Sequence, residues 1–117
     1  MKWQQVVTLG GSLPEVDEGV WFRTPALEVR GKSFVRLKED GQSVVFLVAS
    51  ADDQEMLLAP QPAVYFITDH YRGHGAVLAR LDTLRPDECR LRLEHAWRLK
   101  APKKLVKQLD EKNAKKK

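Results

Sequence analysis

Apolar and polar residues alternate from Thr24 to Ala49, and this period of two predicts a three-stranded antiparallel meander. The predicted strands span residues 26–30, 33–39 and 43–49. Asp40-Gly41 separates the last two strands, and this dipeptide predicts a type I′ turn, because such a turn needs positive φ at both central residues. The meander is therefore the scaffold on which we expect the rest of the chain to be arranged.

Pairing outward from the Asp40-Gly41 turn places Val35 and Leu37 opposite Phe46 and Val44 on one apolar face. The other face of the hairpin then carries cations. The preceding strand keeps its own apolar residues on the first face only if the connection at residues 30–32 has an odd register, such as a three-residue turn with a bulge.

Helical spacing of apolar residues predicts the elements outside the meander. A short helix over residues 1–9 is followed by an acidic loop at 13–19 and by Val20-Trp21-Phe22, a short strand or an apolar loop. After the meander we expect a helix capped by Ser50 or Asp52, strands at 64–68 and 76–81, a helix at 86–100 and a shorter helix beginning at Pro102. The order α-β-β-β-α-β-β-α predicts a two-layer α+β fold, in which helices cover an antiparallel sheet of about five strands. One core is expected to contain Trp3, Val35, Leu37, Phe46, Leu93 and Trp97.

Composition adds that 117 residues suit one domain, and that the formal charge of +4 is unevenly spread. Residues 98–117 hold nine Lys/Arg and two Asp/Glu, whereas the other 97 residues hold eleven and fourteen. We therefore predict one domain over residues 1–110, and a disordered basic tail over residues 111–117. A high pI that comes from the tail is poor support for a nucleic-acid-binding fold.

The single cysteine excludes an intrachain disulfide, and no charged-then-apolar signal segment opens the chain. No apolar run approaches the roughly 20 residues that span a bilayer. We expect a cytoplasmic protein that does not enter a membrane.

No catalytic constellation stands out, so neither an enzymatic activity nor a cofactor is expected. His70 and His74 have a spacing known from zinc helices, but neighbouring glycines disfavour a helix there and no third ligand follows, so we expect no metal site. Cys89 and His95 fall on opposite sides of a helix, which favours a packed thiol over a nucleophile and base.

Candidate binding residues fall into three groups. Hairpin cations interleaved with Phe34 are suited to phosphates, although an ordinary solvated hairpin face has the same composition. In the loop at residues 69–75, Tyr71 and Arg72 can stack on a base or hold a phosphate, or else close the edge of the core. Lys103 and Lys104 add a basic pair.

Three stretches, TPALEVRGKSFVRL, YFITDHYRGHGAVLARLD and AWRLKAPKKL, resemble in order and spacing the MmcQ/YjbR family of small bacterial proteins, over roughly residues 5–107. The resemblance implies an antiparallel α/β fold similar to secretion chaperones, a double-wing arrangement and a DNA-binding role, with no catalytic residues to carry over. In that family an aromatic residue often follows the position of Gly73, where this chain has His74.

The resemblance and the cations together predict a DNA-binding protein that mainly contacts the phosphate backbone from a β-hairpin wing, with little sequence specificity. The alternatives are a protein-interaction or chaperone-like module, with a protein partner or a second copy, and last a small-molecule enzyme. The residues predicted to contact nucleic acid are Arg30, Lys32, Arg36, Lys38, Tyr71, Arg72, Lys103 and Lys104.

Overall fold

A computed structural model describes residues 1–115 of the chain. The elements are α1 (Trp3–Gly10), β1 (Val16–Trp21), β2 (Thr24–Val29), β3 (Lys32–Leu37), β4 (Ser43–Leu47), α2 (Ala51–Leu58), β5 (Tyr65–Phe66), a 3₁₀ turn (Asp69–Tyr71), β6 (Ala76–Arg80), α3 (Pro86–Lys100) and α4 (Lys103–Lys115). All strand pairs in the sheet are antiparallel, in the order β1-β2-β3-β4-β6-β5. The predicted α+β class is confirmed.

The two faces of the sheet have different surroundings. The inner face forms the main core together with apolar side chains of the helices, including Val6 of α1, Leu93 of α3 and Leu105 of α4. The outer face carries a smaller apolar cluster of Val45, Ala76 and Leu78. Loops and long side chains, rather than helices, cover that cluster.

The sheet has six strands, whereas the sequence predicted about five, because β1 begins at Val16 inside the predicted acidic loop. Asp17, Glu18 and Gly19 have low intrinsic β propensity. As the edge strand, however, β1 needs only one partner, and its charged side chains stay in solvent. The alternative of a short strand at Val20-Trp21-Phe22 was therefore the better one, although the strand ends at Trp21.

The β3–β4 hairpin has the predicted register but not the predicted turn. Val35 pairs with Phe46 and Leu37 with Val44, as expected. Asp40 does not adopt positive φ, so the turn is not type I′; instead the Gly41 N–H donates to the Lys38 carbonyl at 2.9 Å. The Asp40 carboxylate accepts from the backbone N–H groups of Gln42 and Ser43. The observed four-residue loop, residues 39–42, and the predicted two-residue turn are both centred on the Asp40–Gly41 peptide bond. The pairing of β3 with β4 is therefore the same for either connection.

A bulge in β3 solves the register problem between β2 and β3. The connection is a two-residue turn, Arg30-Gly31, and not the predicted three-residue turn. The expected bulge lies instead where the pairing shifts between Leu27 and Glu28. The extra residue is Phe34, which is fully buried in the main core. The prediction of Phe34 on a solvent-directed cationic face is therefore wrong.

Helix α3 has the predicted bounds, with Pro86 in its first turn, and it buries the predicted stripe of Cys89, Leu93, Ala96 and Trp97. The predicted core is confirmed, with Trp3 and Leu37 at its partly exposed margin. The fully buried Trp97 also donates its indole N–H to the Pro14 carbonyl at 3.1 Å. Within residues 1–115, no helix is both long and apolar enough to cross a bilayer.

Helix α4 continues through Lys115, five residues into the stretch predicted to be a disordered tail. Leu105 and Leu109 are buried on the core, and Lys, Glu, Gln and Ala are strong helix formers, so the helix extends beyond its last buried residue. The part of that prediction that concerns residues 116–117 lies outside the described residues.

Truncating Trp97 to Ala should destabilise the protein by about 3–5 kcal/mol, because it removes a buried ring and leaves the Pro14 carbonyl without its donor. Urea denaturation measures the change. Leu99→Ala is the matched control on the exposed side of the same helix, and it should change stability by no more than about 0.5 kcal/mol. Equal effects of the two variants would show that α3 does not pack as described.

Candidate functional site

A cleft of about 520 Å³ opens on the outer face of the sheet. Its floor is apolar and includes Val45 and Ala76. Its walls come from the β1–β2 turn, the β3–β4 loop and the loop that contains the 3₁₀ turn. Three segments distant in sequence therefore meet around one concave surface.

Arg36 projects from β3 into this cleft and is the most buried cation of the predicted set. Its side chain is only 5% exposed. The guanidinium donates from Nη1 to Glu39 Oε1 at 3.1 Å and to Thr24 Oγ1 at 3.3 Å, and from Nη2 to the Tyr71 hydroxyl at 2.6 Å. A buried charge requires such compensation. The prediction of a solvent-directed Arg36 is therefore wrong, because neighbouring loops fold over the face that the strand pattern leaves open.

Glu39 holds two cations at the mouth of the cleft. It accepts from Arg36, and its second oxygen lies 3.7 Å from Lys38 Nζ. A backbone hydrogen bond at Glu39 and the positive charge of Arg36 keep the pKa of this carboxyl below its ordinary value. The carboxylate therefore stays ionised at neutral pH, although its side chain is 59% exposed.

Gln54 holds the loop that carries Tyr71. This residue of α2 is buried, and its Nε2 approaches the carbonyl oxygens of Tyr71, His74 and Ala76 at 2.6–3.0 Å. Its Oε1 accepts from the Gly73 N–H at 3.3 Å. One amide thereby satisfies both ends of the loop and orients the Tyr71 ring over the sheet.

The β1–β2 turn presents an aromatic to the same cleft. Phe22 and Arg23 form a two-residue turn with φ values of +51° and +65°, which bulky residues rarely adopt. The Phe22 ring stacks on Trp21 with centroids 5.3 Å apart and lies 5.2 Å from Arg36 Cζ. This is cation–π geometry, and it adds an aromatic side to the Arg36 site.

A second group of predicted residues, which we call the basic end, lies outside the cleft: Arg30 and Lys32 at the β2–β3 turn, and Lys103 and Lys104 at the start of α4. Arg30 donates to Glu15 at 2.6 Å. The Arg30 guanidinium, and more weakly the Lys104 ammonium, hold the pKa of Glu15 below its ordinary value. Both cations therefore act on one carboxylate, although 74 positions separate them in sequence.

Seven of the eight predicted residues thus form two groups. Arg36, Lys38 and Tyr71 line the outer cleft, whereas Arg30 and Lys104 share Glu15, with Lys32 and Lys103 beside them in the chain. Arg72 belongs to neither group, because it is exposed and its Nη2 lies 3.3 Å from Asp69.

Reactive groups lie elsewhere. Burial raises the pKa of the Cys89 thiol to about 12, which keeps it protonated and unreactive at neutral pH. His95, on the same helix, is exposed, and desolvation lowers its pKa. Within residues 1–115, no three His, Cys, Asp or Glu side chains form a group that could hold a metal ion.

Sequence reasoning missed Gln54, Phe22 and Glu39. A glutamine among the apolar residues of α2 was a weak signal, since a buried amide needs polar partners. No local pattern marked the other two, because their role arises only from contact with Arg36.

Replacing Tyr71 with Phe should destabilise the protein by about 1.5–3 kcal/mol, because it removes an acceptor from a buried guanidinium. Thermal unfolding measures the loss. The control, His70→Ala, removes an exposed neighbour that packs edge-on against the same ring at 5.1 Å, and its effect should be within about 1 kcal/mol. If Tyr71→Phe is as stable as the wild type, the Arg36–Tyr71 bond does not contribute to the fold.

Comparison with known proteins agrees with the resemblance noted in the sequence. Three curated relatives, each called an uncharacterised protein, come from two strains of Mycobacterium tuberculosis and from Mycobacterium bovis. Each is 42% identical over 50 residues, which cover 43% of this chain and 39% of the relative. The chain therefore matches well under half of the length of these relatives. A model of the YjbR family matches residues 11–99, which is most of the chain. The protein therefore belongs to the YjbR family.

Proposed function

We propose that the protein binds DNA through phosphate contacts made by the lysines of the basic end and by the other exposed lysines of α4, whereas Arg30 is engaged by Glu15. The observation that carries the proposal is the set of exposed lysines along α4; one of them, Lys104, also lowers the pKa of Glu15, the carboxylate that Arg30 of the β2–β3 turn binds at 2.6 Å. A hairpin turn beside a basic helix is a surface that can follow a phosphate backbone.

The charge on α4 supports this role. Its five lysines, at positions 103, 104, 107, 112 and 115, are all exposed, whereas Leu105 and Leu109 face the core. Asp110 is engaged by Arg98 at 2.8 Å, so it offsets little of the lysine charge. The helix therefore presents mainly cations to solvent.

This proposal and the prediction from the sequence both concern DNA binding, but they assign the phosphate contacts to different residues. Arg36 is buried and Lys38 faces the carboxylate of Glu39, so neither is offered to a phosphate. Phosphate contacts from lysines carry no base information, and discrimination between DNA sequences should be small.

Fluorescence anisotropy with a labelled duplex at several NaCl concentrations tests the proposal. The wild-type Kd should be on the order of 10⁻⁴–10⁻⁶ M at physiological salt. Lys32→Gln/Lys104→Gln should reduce the log–log salt slope by about 1.8, because each phosphate contact contributes about 0.9. The matched control is Lys2→Gln/Arg85→Gln, which removes the same charge from exposed positions elsewhere.

The wild type and both double variants keep the basic C-terminal residues. The contribution of those residues to DNA affinity therefore cancels when the three proteins are compared. Equal losses in the two double variants would mean that binding follows total charge alone, and the basic end would not be the site. Absence of binding at about 50 mM NaCl, where phosphate contacts are strong, would contradict DNA binding altogether.

A protein-interaction role is the second candidate, and edge strand β1 favours it. One side of β1 lies at the edge of the sheet, and Val20 on this strand is 72% exposed. An open edge with an exposed β-branched residue is suited to strand addition by a partner or by a second copy.

If a second copy pairs with β1, sedimentation velocity should detect a dimer at protein concentrations of about 100 μM, where associations of modest affinity are populated. Val20→Lys should abolish the dimer, because it places a charge on the pairing strand. Met56→Lys is the control, since Met56 of α2 is equally exposed at 71%. A wild-type monomer, or equal loss in both variants, would contradict self-association through β1.

A further inference from the structure

The outer cleft takes no part in the proposed DNA contacts, and its size and lining suit a small molecule. Its volume of about 520 Å³ lies within the range of small-molecule pockets, about 300–1,000 Å³. The cleft combines an apolar floor, aromatic walls and two sets of polar side chains, one around Arg36 and one, Thr68, His70 and His74, from the loop after β5. Pockets of this composition bind a ring through stacking and orient it by its polar substituents.

The polar end contains a cation whose partner is replaceable. Arg36 is fixed, because its side chain is 5% exposed and three segments hold it. Glu39 lies in the β3–β4 loop with its side chain 59% exposed, so its carboxylate can turn into solvent without disturbing the sheet. When it does, Arg36 and Lys38 face an anion site of the size of one carboxylate.

Phe22 forms an aromatic side of the cleft, and the β1–β2 turn that positions it has a strained backbone. Phe22 has φ of +51°, a conformation that bulky residues disfavour, and its side chain projects next to Arg36. The residue is 65% exposed, so the part of its ring that Trp21 and Arg36 do not cover is accessible to the ring of a ligand. Strained residues of this kind concentrate at binding sites.

Tyr71 completes the polar end. Its hydroxyl oxygen accepts from Arg36 Nη2 at 2.6 Å, and its own O–H remains a donor. A ligand oxygen beside Arg36 would therefore receive hydrogen bonds from a guanidinium and from a phenol.

We propose that the outer cleft binds a small planar aromatic carboxylate, whose ring stacks on Phe22 and whose carboxylate replaces Glu39 on Arg36 and Lys38. Glu39 is then a resident competitor that occupies the anion site when the cleft is empty. The ligand is anionic because Arg36 and Lys38 share the single carboxylate of Glu39, and it is aromatic because Trp21, Phe22 and Tyr71 line the cleft.

Titration of the full chain with 2-naphthoate, followed by ¹H–¹⁵N NMR, tests the proposal. The Kd should be on the order of 1 mM or lower for a ligand of this size. The shifts should concentrate at the Trp21 indole N–H and at the amides of Val45 and Ala76, which line the cleft. The uncharged 2-naphthamide has the same ring and should bind at least about fivefold more weakly, because it lacks the anion.

Three variants test whether Glu39 competes with the ligand for Arg36 and Lys38 or instead helps to hold the binding site in shape. Glu39→Gln should tighten 2-naphthoate binding by about threefold to tenfold, because the competing charge is gone. Glu55→Gln, at an exposed carboxylate of α2, should leave the affinity unchanged. Phe22→Leu should weaken binding by about threefold to tenfold, because stacking is lost.

Weaker or unchanged binding in Glu39→Gln would overturn the proposal, and so would equal affinity for 2-naphthamide. No spectral change up to about 10 mM 2-naphthoate, well above the expected Kd, would also overturn it. The Lys32→Gln/Lys104→Gln protein should bind 2-naphthoate like the wild type. The proposal of ligand binding in the cleft and the proposal of DNA binding can therefore be contradicted independently.

Discussion

Burial of the Arg36 guanidinium determines how the outer half of the molecule is assembled. A charge on a sheet face is inexpensive in water, but here it is covered and must have partners. Those partners are Thr24 on β2, Glu39 in the β3–β4 loop and Tyr71 in the loop after β5. Three connections that could otherwise vary in conformation are thereby directed toward one group.

The same interaction explains why the outer face is not simply solvated. Leu78 and Val45 are almost fully buried, although no helix within residues 1–115 packs on them. Their cover consists of flat or long side chains such as Tyr71, Phe66 and Arg80, whose guanidinium stacks 4.4 Å from the Phe66 ring centroid. This cover leaves a cleft between the loops.

The two surfaces that carry the proposals differ in physical character. The basic end consists of exposed cations, which act through charge and are screened by salt. The outer cleft consists of a buried cation, aromatic rings and an exchangeable carboxylate, and it acts through shape and desolvation. DNA binding and small-ligand binding can therefore reside in one chain of this size without sharing residues.

The sequence alone determined most of the local structure and the division into a helix layer and a sheet. The β3–β4 register followed from alternation around Asp40-Gly41, and the bounds of α3 followed from Pro86 and a four-residue apolar stripe. The family also followed from short motifs. These features depend on neighbours close in the chain, so periodicity and turn chemistry are sufficient to predict them.

Tertiary structure alone decided the sixth strand, the burial of Phe34 and the assignment of the cations to two surfaces. Strand β1 has a weak local preference and forms because β2 supplies its hydrogen-bond partners. The bulge at Phe34 reverses the side-chain alternation on which the cationic-face prediction depended. Arg36 became a buried residue only because segments 12 and 35 positions away close over it. Contacts of that separation leave no periodic signal, since each depends on where the whole chain has placed its loops.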